Sequence, residues 1–474
     1  MSQKFLLTNA IPYVNAKPHV GHALEFVQSS VIAKYHKLLG EDVLTLCGGD
    51  ENAIKNVQAA EKEGKNIQEF IDSNTKLFEE LAEKLDAKFD VFQKGSDPNH
   101  YKSSQELWEL CDKNGDIYKK SYTGLYCVGC EQFYEKEELN ENGECFEHPG
   151  KKLEEVEEEN YFFKLSAYEK QILELVKNDV IKIIPQSRKN EVLSFVEHGL
   201  QDISISRSNK RAKNWGVPVP NDETQRMYVW FDALNIYQSG IGFSIDEEKY
   251  NKWWPADVHV IGKGIIRFHA VYWPAFLLSA GLKLPKELFV HGYFTVDGQK
   301  MSKTLGNVID PIEMIEKYGV DALRYYLLSQ IPATGDGDFS EQRLKEIYNS
   351  DLANGLGNLV ARVSKLCEKT NIQGIKRTEF TLSAQTALEL YSFHLALEAI
   401  WLRIKKLDQY INENEPWKET NEKKLLEILN YSVEQISEIA FDLQPFLPQT
   451  AEKIIKQFGA DKVSSSAPLF PRLS

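Results

Sequence analysis

The first part of the chain alternates between short apolar runs and longer stretches with helical spacing. Residues 4–8 form a short apolar run of the kind that becomes a buried strand. Residues 22–39 follow with apolar side chains three or four positions apart, which predicts a helix. Residues 42–47 predict a second buried strand, and helical spacing returns between residues 70 and 85. Strands that alternate with helices predict an α/β fold built on a parallel sheet.

The same alternation returns later, and the chain then becomes helical. Three further strands are predicted, at residues 227–231, 258–261 and 287–294. Beyond residue 310 the spacing of apolar residues is helical, and it predicts helices at residues 321–328, 351–369, 388–410 and 424–442. Long amphipathic helices with short breaks between them predict a C-terminal helix bundle.

A segment of different texture lies between the two α/β stretches. Residues 118–134 have the pattern of β-hairpins, and an acidic run that we interpret as a solvated face follows at residues 154–159. The basic residues between positions 207 and 213 could touch RNA, but a solvated loop is the better default. The Pro-rich stretch 218–220 predicts the return to the main sheet, so the insertion spans roughly residues 117–220.

Length and charge limit the class of protein. A chain of 474 residues is too long for one core, so we expect roughly two to four domains. The formal net charge of −14 argues against loose, charge-driven nucleic-acid binding but not against a structured RNA read through a few local contacts. No apolar run approaches membrane-spanning length and no signal peptide is evident, so we expect a cytoplasmic protein.

Two stretches have the chemistry of a phosphate site. Gly21 opens the first predicted helix between His19 and His22, where a phosphate would meet backbone N–H groups, the helix dipole and two imidazoles. The other stretch, Lys300-Met301-Ser302-Lys303-Thr304, offers two lysines and two hydroxyls between glycines. Each also has an ordinary interpretation, because His often caps a helix and exposed lysine loops are common.

A carboxylate follows the second predicted strand. Asp50 comes directly after Gly48 and Gly49, at the carboxyl edge of the predicted sheet, where open α/β folds bind ligands. A simple turn with Asp as a helix cap explains the same pattern equally well.

The cysteines predict a metal site. The chain has six: Cys47, Cys111, Cys127, Cys130, Cys145 and Cys367. Cys127 and Cys130 form a C-x-x-C pair, and Cys145 and His148 form a C-x-x-H pair after 14 intervening residues. Four such ligands suit one tetrahedral zinc ion, and a closed four-ligand site is structural. Four unrelated residues are the less favoured alternative.

Together these motifs resemble a known family. His19-Val20-Gly21-His22 and Lys300-Met301-Ser302-Lys303-Thr304 resemble, in order and context, the paired signatures of class I aminoacyl-tRNA synthetases. Within that class the chain resembles the methionyl-tRNA synthetases over nearly its whole length, through residues 9–13, 228–234 and 268–274. The insertion resembles that of a bacterial branch with a single zinc ion.

The resemblance implies a division into five segments. A Rossmann-like parallel-sheet catalytic domain occupies residues 1–116 and 221–306 and is split by the zinc-bearing insertion at residues 117–220. A stem-contact linker region spans residues 307–350, and an α-helical anticodon-binding domain spans residues 351–474.

The resemblance also implies roles for individual residues. The residues that match the methionine site are Ile11, Tyr13, Asp50, Trp230, Ala233, Leu234, Tyr237, Ile265, His269 and Trp273. Asp50 would hold the substrate ammonium, while Tyr13 and His269 could donate toward sulfur. Those that match the ATP site are His19, Gly21, His22, Lys300, Ser302 and Lys303, of which His19, His22, Lys300 and Lys303 would be catalytic. Asn358, Arg362 and Trp417 match the residues that read the anticodon.

The activity implied is that of a methionine–tRNA ligase. L-methionine and ATP with Mg²⁺ would form methionyl-adenylate, and methionine would pass to the 3′ end of initiator and elongator tRNA(Met). A structural Zn²⁺ and a monomeric state are also expected, the latter because the chain ends soon after the bundle. Another class I synthetase, or a tRNA-binding protein of the same fold with weakened catalysis, is the alternative.

Three departures from the family pattern bear on catalysis. Asn52 and Ala53 stand where the family usually has His and Gly. Gly264 stands where it usually has Asp, so a carboxylate beside the substrates is missing. Thr304 replaces the usual Ser and keeps a hydroxyl.

Overall fold

The computed structural model describes residues 3–129, 132–134, 136–147, 150–301 and 306–473. Its strands are β1 Lys4–Asn9, β2 Asp42–Gly49, β3 Val91–Lys94, β4 Ile117–Cys127, β5 Gln132–Tyr134, β6 Glu154–Phe163, β7 Lys182–Ile184, β8 Ile203–Ser204, β9 Ser206–Ser208, β10 Pro218–Val219, β11 Asp222–Met227, β12 Val258–Gly262, β13 Glu287–His291, β14 Phe294–Val296 and β15 Gly337–Phe339.

The α-helices are α1 Val20–Leu38, α2 Ile54–Lys62, α3 Ile67–Lys84, α4 Pro98–Lys113, α5 Glu169–Lys177, α6 Gln186–Glu197, α7 Asn209–Ala212, α8 Val229–Ser239, α9 Glu247–Trp253, α10 Trp273–Ser279, α11 Pro311–Tyr318, α12 Val320–Ser329, α13 Glu341–Ile347, α14 Asn358–Cys367, α15 Leu382–Glu389, α16 Phe393–Asn414, α17 Glu422–Leu443 and α18 Pro448–Phe458. Two π-helical segments are Phe268–Tyr272 and Tyr348–Gly357, and three 3₁₀ turns are Lys136–Glu138, Leu165–Tyr168 and Lys263–Ile265. Within the described ranges no helix is long and apolar enough to cross a membrane.

The chain forms two compact units. The first contains the described residues of 1–18, 40–80 and 89–291, and the second contains those of 19–39, 81–88 and 292–474. The five segments expected from the sequence are a finer division, and they stay a prediction.

The first unit is built on a six-stranded sheet in the order β3-β2-β1-β12-β13-β7, with every neighbouring pair parallel. Leu6 and Leu7 on the central strand are fully buried, as expected for a sheet covered on both faces. This confirms the predicted α/β class with a parallel sheet. The strand order reverses at β1, because β2 lies on one side of it and β12 on the other. Ala10, Asp50 and Lys263, which follow these three strands, therefore emerge at the edge where such sheets bind ligands.

Two predicted strands are wrong in part. Residues 227–231 are not one strand, because β11 ends at Met227 and α8 begins at Val229. Every residue of α8 is buried, so its apolar run lacks the polar face that would have marked it as a helix. The predicted strand 287–294 stops at His291, and the chain continues as β14. A Cβ at Gly292 would lie 2.2 Å from the carbonyl oxygen of Gly335, so the close passage of backbone requires glycine there.

The segment predicted as an insertion contains the expected antiparallel hairpins. One sheet has the order β5-β4-β6-β8 and another has the order β10-β11-β9. The acidic run opens β6, where its side chains are mostly exposed. The predicted basic loop is partly wrong: Lys210 and Lys213 are exposed, but Arg207 is buried near the Tyr228 ring and Arg211 lies 4.1 Å from the Tyr126 ring centroid. The strand β7 also lies within the predicted insertion, but it pairs with β13 in the main sheet. The sequence pattern did not indicate this pairing.

The second unit is mostly helical, as predicted, and it includes α1. Arg324 on α12 is fully buried, and its guanidinium donates to the carbonyl oxygens of Leu85, Pro445 and Phe446 at 2.8–3.0 Å. Burial lowers the pKa of Arg324 to about 10, so it stays charged at neutral pH. Five N–H donors in one planar group suit a site where several helix-end carbonyls converge.

Candidate active site

In the first unit the ends of β1 and β2 bring two predicted residues together. Tyr13 and Asp50 form an isolated parallel β-bridge, and the Asp50 N–H donates to the Pro12 carbonyl at 2.9 Å. The Asn56 side chain donates to the Asp50 carbonyl at 2.8 Å. Asp50 is only 4% exposed, so its carboxylate is held at a buried edge of the sheet.

Ile11 and Lys55 complete this edge. A Cβ at Gly48 would lie 2.3 Å from the Gln93 carbonyl oxygen and 3.3 Å from Cγ2 of Ile11. The backbones of β2 and β3 therefore pass close to each other at the end of β2. The Nζ atom of Lys55, in the first turn of α2, lies 3.5 Å from the centroid of the Tyr13 ring. Sequence reasoning missed Lys55, because nothing in the local pattern places α2 over Tyr13.

The aromatic part of the predicted methionine pocket lies on α8 and on the π-helical segment Phe268–Tyr272. Trp230 stacks on Phe268 with ring centroids 3.7 Å apart and an angle of 7° between the rings. Tyr237 and His269 are joined by a hydrogen bond of 2.7 Å between the phenol oxygen and Nε2. Ala233, Leu234 and Trp273 belong to the same buried cluster, and Ile11, Tyr13 and Ile265 pack against it. The structure thus collects the predicted apolar residues in one place.

Burial sets the protonation of His269. The side chain is 1% exposed, and burial lowers its pKa to about 4, so the ring is neutral at pH 7. Its Nδ1 lies 2.9 Å from the Ile265 carbonyl oxygen, which can only accept, so Nδ1 carries the proton. Nε2 then accepts from the Tyr237 hydroxyl. The donation from His269 toward sulfur that the resemblance suggests would require this arrangement to change.

Two indole N–H groups are buried in the same cluster. The Nε1 atoms of Trp230 and Trp273 are buried and have no hydrogen-bond acceptor in the described part of the chain. Such donors are costly to bury unpaired, and a bound ligand with an acceptor atom relieves that cost.

In the second unit, His19 and His22 form a capping box at the start of α1. Nδ1 of His19 accepts from the Gly21 N–H at 3.0 Å, and Nδ1 of His22 accepts from the His19 N–H at 3.1 Å. Burial lowers the pKa of His19 to about 4. With Nδ1 of each ring accepting, the neutral imidazoles carry their proton on Nε2. The interpretation of these histidines as caps is therefore confirmed, and it fixes which atom can donate to a ligand.

The same turn brings the two signature stretches together. A Cβ at Gly21 would lie 2.7 Å from Cε1 of His19, so only glycine allows the ring to fold back on the helix start. That Cβ position is 3.8 Å from Cε of Met301. The Val20 N–H donates to the Ile309 carbonyl at 3.1 Å, just beyond the lysine loop.

The lysine loop is described only in part. Lys300 is exposed, and its carbonyl accepts from the Asn307 side chain at 3.2 Å. The preceding turn has positive φ at Asp297 (49°) and Gly298 (74°). The predicted residues Ser302 and Lys303, with Thr304, lie outside the described residues.

The departures from the family pattern have different local settings. Ala53 has φ −64° and ψ 138°, which any L-residue adopts, so the missing glycine costs no backbone strain. Gly264 lies exposed in the 3₁₀ turn after β12. Asn52 is buried in a hydrogen-bonded network with Asp232 and Tyr101, which sequence reasoning also missed.

The predicted anticodon residues lie at the start of α14 and beyond α16. The Arg362 guanidinium is 4.7 Å from the Trp417 ring centroid and donates to Asp408 at 3.0 Å and to Asn412 at 2.6 Å. Asn358 is exposed one helical turn before Arg362, and Trp417 is 48% exposed. A cavity of about 430 Å³ lies beside them, lined by Asn354, Gly355, Ile404, Lys405, Asp408, Gln409, Asn412 and Glu413.

Two of the four predicted zinc ligands can be placed. Cys127 and Cys145 are both buried, and their Sγ atoms are 3.2 Å apart. Cys130 and His148 lie outside the described residues, and within the described ranges no group of three or more His, Cys, Asp or Glu could hold a metal ion. Two sulfurs on one tetrahedral zinc are about 3.8 Å apart for Zn–S bonds of about 2.3 Å. The pair therefore fits zinc after a movement of about half an ångström.

Comparisons with known proteins agree with one another. The sequence model of the family described as tRNA synthetases class I (M) matches residues 5–364. A methionine–tRNA ligase of Brucella suis is 40% identical over 99% of this chain and 98% of its own length. One of Thermotoga maritima is 40% identical over 98% of this chain and 76% of its own length. A Mycobacterium tuberculosis methionyl-tRNA synthetase bound by methionyl-adenylate has a TM-score of 0.91 at 35% identity, covering 99% of this chain and 100% of that one.

Proposed function

Since the chain belongs to the methionyl-tRNA synthetase family of class I, and its activity is that of a methionine–tRNA ligase that forms methionyl-adenylate, we propose how its residues divide that work. The observation that carries the activity is the likeness, over nearly the whole chain, to an enzyme of this family bound by the adenylate.

The first unit binds methionine. Asp50 holds the substrate ammonium, and this role is supported by a buried carboxylate at the carboxyl edge of the sheet. The thioether enters the cluster formed by Ile11, Tyr13, Trp230, Ala233, Leu234, Tyr237, Ile265, His269 and Trp273, because sulfur packs favourably against aromatic rings. The N–H groups of Trp230 and Trp273, which have no acceptor among the described residues, are candidate donors to sulfur, which is a weak acceptor.

The helix start in the second unit binds ATP. His19 and His22 donate through Nε2 to phosphate oxygens at the positive end of the α1 dipole, where Gly21 lets the His19 ring fold back on the helix start. The N–H groups of Val20, Gly21 and His22 are already paired with Ile309 and His19, so the imidazoles are the donors at this turn. Lys300 and Lys303 supply positive charge to the departing pyrophosphate, and Ser302 from the same loop supplies a hydroxyl donor. Mg²⁺ enters as part of the ATP substrate, since it usually binds through substrate phosphates.

Activation needs no protein nucleophile. The methionine carboxylate attacks the α-phosphorus in line, the bond to the bridging oxygen breaks, and pyrophosphate leaves with its electron pair. His19, His22 and the lysines act by positioning the phosphates and stabilising the charge that develops on them. A ribose hydroxyl of the tRNA 3′ end then attacks the adenylate carbonyl and AMP leaves.

The helical region reads the anticodon of initiator and elongator tRNA(Met). Arg362 and Trp417 offer a guanidinium and an indole face for stacking on unpaired bases, and Asn358 offers an amide for a base edge. The exposure of Asn358 and Trp417, with Arg362 half-buried against the Trp417 ring, supports this role.

Zinc has a structural role in the insertion. Cys127, Cys130, Cys145 and His148 hold one Zn²⁺, as supported by the short distance between the two described sulfurs. When bound, the ion cross-links the two knuckles and stabilises their fold. The expected cytoplasmic location and monomeric state stay predictions, and light scattering after gel filtration tests the latter.

The decisive experiment is ATP–pyrophosphate exchange with a panel of amino acids, followed by aminoacylation of tRNA(Met). We expect exchange with methionine and methionine transfer to both tRNAs. Exchange with a different amino acid would instead identify another class I specificity. Binding of tRNA(Met) without any exchange would identify a tRNA-binding protein of the same fold.

A further inference from the structure

We propose that Asn52 is a positioning residue for methionine, which links the strand end carrying Asp50 to the helix carrying the apolar part of the pocket. The proposal rests on the methionine site proposed above. It adds a residue that does not itself touch the substrate and that departs from the usual family pattern.

The amide of Asn52 has a partner for each of its polar groups. Its Nδ2 donates to the Gly95 carbonyl at 2.8 Å and to Oδ2 of Asp232 at 2.7 Å. Its Oδ1 accepts from the Tyr101 hydroxyl at 3.1 Å. Burial raises the pKa of Tyr101, and the charges of Asp232 and Glu51 raise it further, so this hydroxyl remains a donor. The side chain is therefore held in one orientation.

The first end of the link is the strand end that carries Asp50. The Gly95 N–H donates to the Gly49 carbonyl at 3.1 Å, just before Asp50. Just after it, the fully buried Glu51 accepts from Thr75 at 2.6 Å and from the N–H and hydroxyl of Ser96 at 3.0 and 2.6 Å. Glu51 and Asn52 thus fasten the backbone that carries Asp50 to the turn after β3.

The second end of the link is α8. Asp232 is 2% exposed, and it lies in sequence between Trp230 and the pair Ala233 and Leu234. Its Oδ1 has no hydrogen-bond partner in the described part of the chain, and Nε2 of His100 lies 3.6 Å from Oδ2. The hydrogen bond from Asn52 therefore offsets much of the free-energy cost of burying the Asp232 carboxylate. Loss of that donor would shift the first turn of α8 and the pocket residues on it.

The geometry explains why a neutral amide suits position 52. One Nδ2 atom serves two acceptors, Gly95 and Asp232, because it carries two hydrogens. A single imidazole nitrogen carries at most one hydrogen, so it could donate to only one of these two acceptors. A carboxylate at position 52 would face Asp232 without a donor between them, unless one of the two acids kept a proton.

The test compares variants in methionine-dependent exchange. For Asn52→Ala we expect the KM for methionine to rise roughly 10-fold while the KM for ATP changes by less than about 2-fold. The matched control is Thr45→Val. Thr45 lies on β2, the strand that leads to Asp50, but it is away from Asp50 itself. The change removes a buried hydroxyl that donates to Asp90 at 2.8 Å. The control should lower the melting temperature without changing the KM for methionine.

A charge variant gives a second readout. Asn52→Asp places two carboxylates together, and they form the native-like contact only while they share a proton. We expect its KM for methionine to increase from pH 6 to pH 8, relative to the wild type. If Asn52→Ala does not fold, Tyr101→Phe removes only the donor to Oδ1 and should raise that KM about 2- to 3-fold.

Equal changes in the two KM values, or a flat pH dependence for Asn52→Asp, would overturn the proposal. Calorimetric measurement of methionine binding distinguishes failure of the Asn52 proposal from failure of the proposed reaction. A wild type that binds methionine without exchange contradicts the reaction, whereas the ratio of affinities of Asn52→Ala and wild type tests the link. A wild type that does not bind methionine overturns both.

Discussion

The ammonium of Lys55 lies 3.5 Å from the centroid of the Tyr13 ring. A cation over an aromatic face contributes about 0.5–2 kcal/mol, depending on how far it is desolvated. Here the contact joins the first turn of α2 to a residue of the proposed methionine pocket, so it restrains the Tyr13 ring.

We expect Lys55→Met to raise the KM for methionine about 5-fold, because the Tyr13 ring loses this restraint. Lys55→Arg should stay near the wild-type value, since a guanidinium also stacks on an aromatic face. Lys62→Met, an exposed change in the last turn of the same helix, is the control. Steady-state exchange kinetics measure the effect, and an unchanged KM in Lys55→Met would show that the contact is incidental.

Lys300 should matter for the rate of activation. Loss of one donor to the developing charge of a transition state typically costs roughly 10²-fold or more in rate, so we expect that loss for Lys300→Ala in ATP–pyrophosphate exchange. Lys453→Ala, an exposed lysine on α18, should leave the rate unchanged. A near-normal rate in Lys300→Ala would count against the role of this loop.

Arg362 and Trp417 should affect tRNA but not activation. Stacking of a base on an aromatic side chain contributes about 1–3 kcal/mol, so Trp417→Ala should raise the KM for tRNA(Met) roughly 10- to 100-fold. Arg362→Ala should act in the same direction, because its guanidinium lies over the same ring. Arg343→Ala on α13, where the side chain pairs with Glu346, is the control. The assignment fails if exchange falls along with aminoacylation.

Metal analysis tests the zinc site. We expect about one zinc per purified chain. Cys145→Ser should lower that content and the melting temperature, since it removes one ligand. Cys111→Ser should leave the metal content unchanged, because burial raises the pKa of the Cys111 thiol to about 12 and keeps it protonated. Wild-type protein that is free of metal and fully folded would refute the site.

Stability should fall in mild acid, in part through His269. Its pKa is about 4 in the folded protein and near 6.5 when unfolded, so between these values the unfolded state binds more protons and acid destabilises the fold. For this one group the loss between pH 7.5 and pH 5 is about 2 kcal/mol. His259, also fully buried with its pKa held well below the usual value, contributes in the same direction.

Urea unfolding of wild type and His269→Gln at those two pH values measures the His269 share. The variant should lose less stability on acidification than the wild type. His198→Gln, a change at an exposed position, should behave as wild type. Equal losses in wild type and His269→Gln would contradict the neutral, buried state of this imidazole.

The local pattern predicted elements whose signal lies within a few residues. The apolar runs of β1, β2 and β12 and the helical spacing of α1 and α12 matched the structure within about two residues. The run at residues 227–231 did not, because an apolar stretch buried on all sides is the same in a strand and in a buried helix. The strand β7 was missed because three residues carry too little pattern.

The sequence by itself determined the α/β class and the helical C-terminal region, which follow from local periodicity. The residues assigned to methionine and ATP follow from the resemblance to the family and stay a prediction. Only the tertiary structure decided that His19 and His22 cap α1 through Nδ1, that Lys55 lies over Tyr13 and that Asn52 donates to Asp232, 180 residues away. The physical reason is that a hydrogen-bond partner is selected by the packing of whole elements. That packing depends on the summed burial of many side chains and not on the spacing within any one segment.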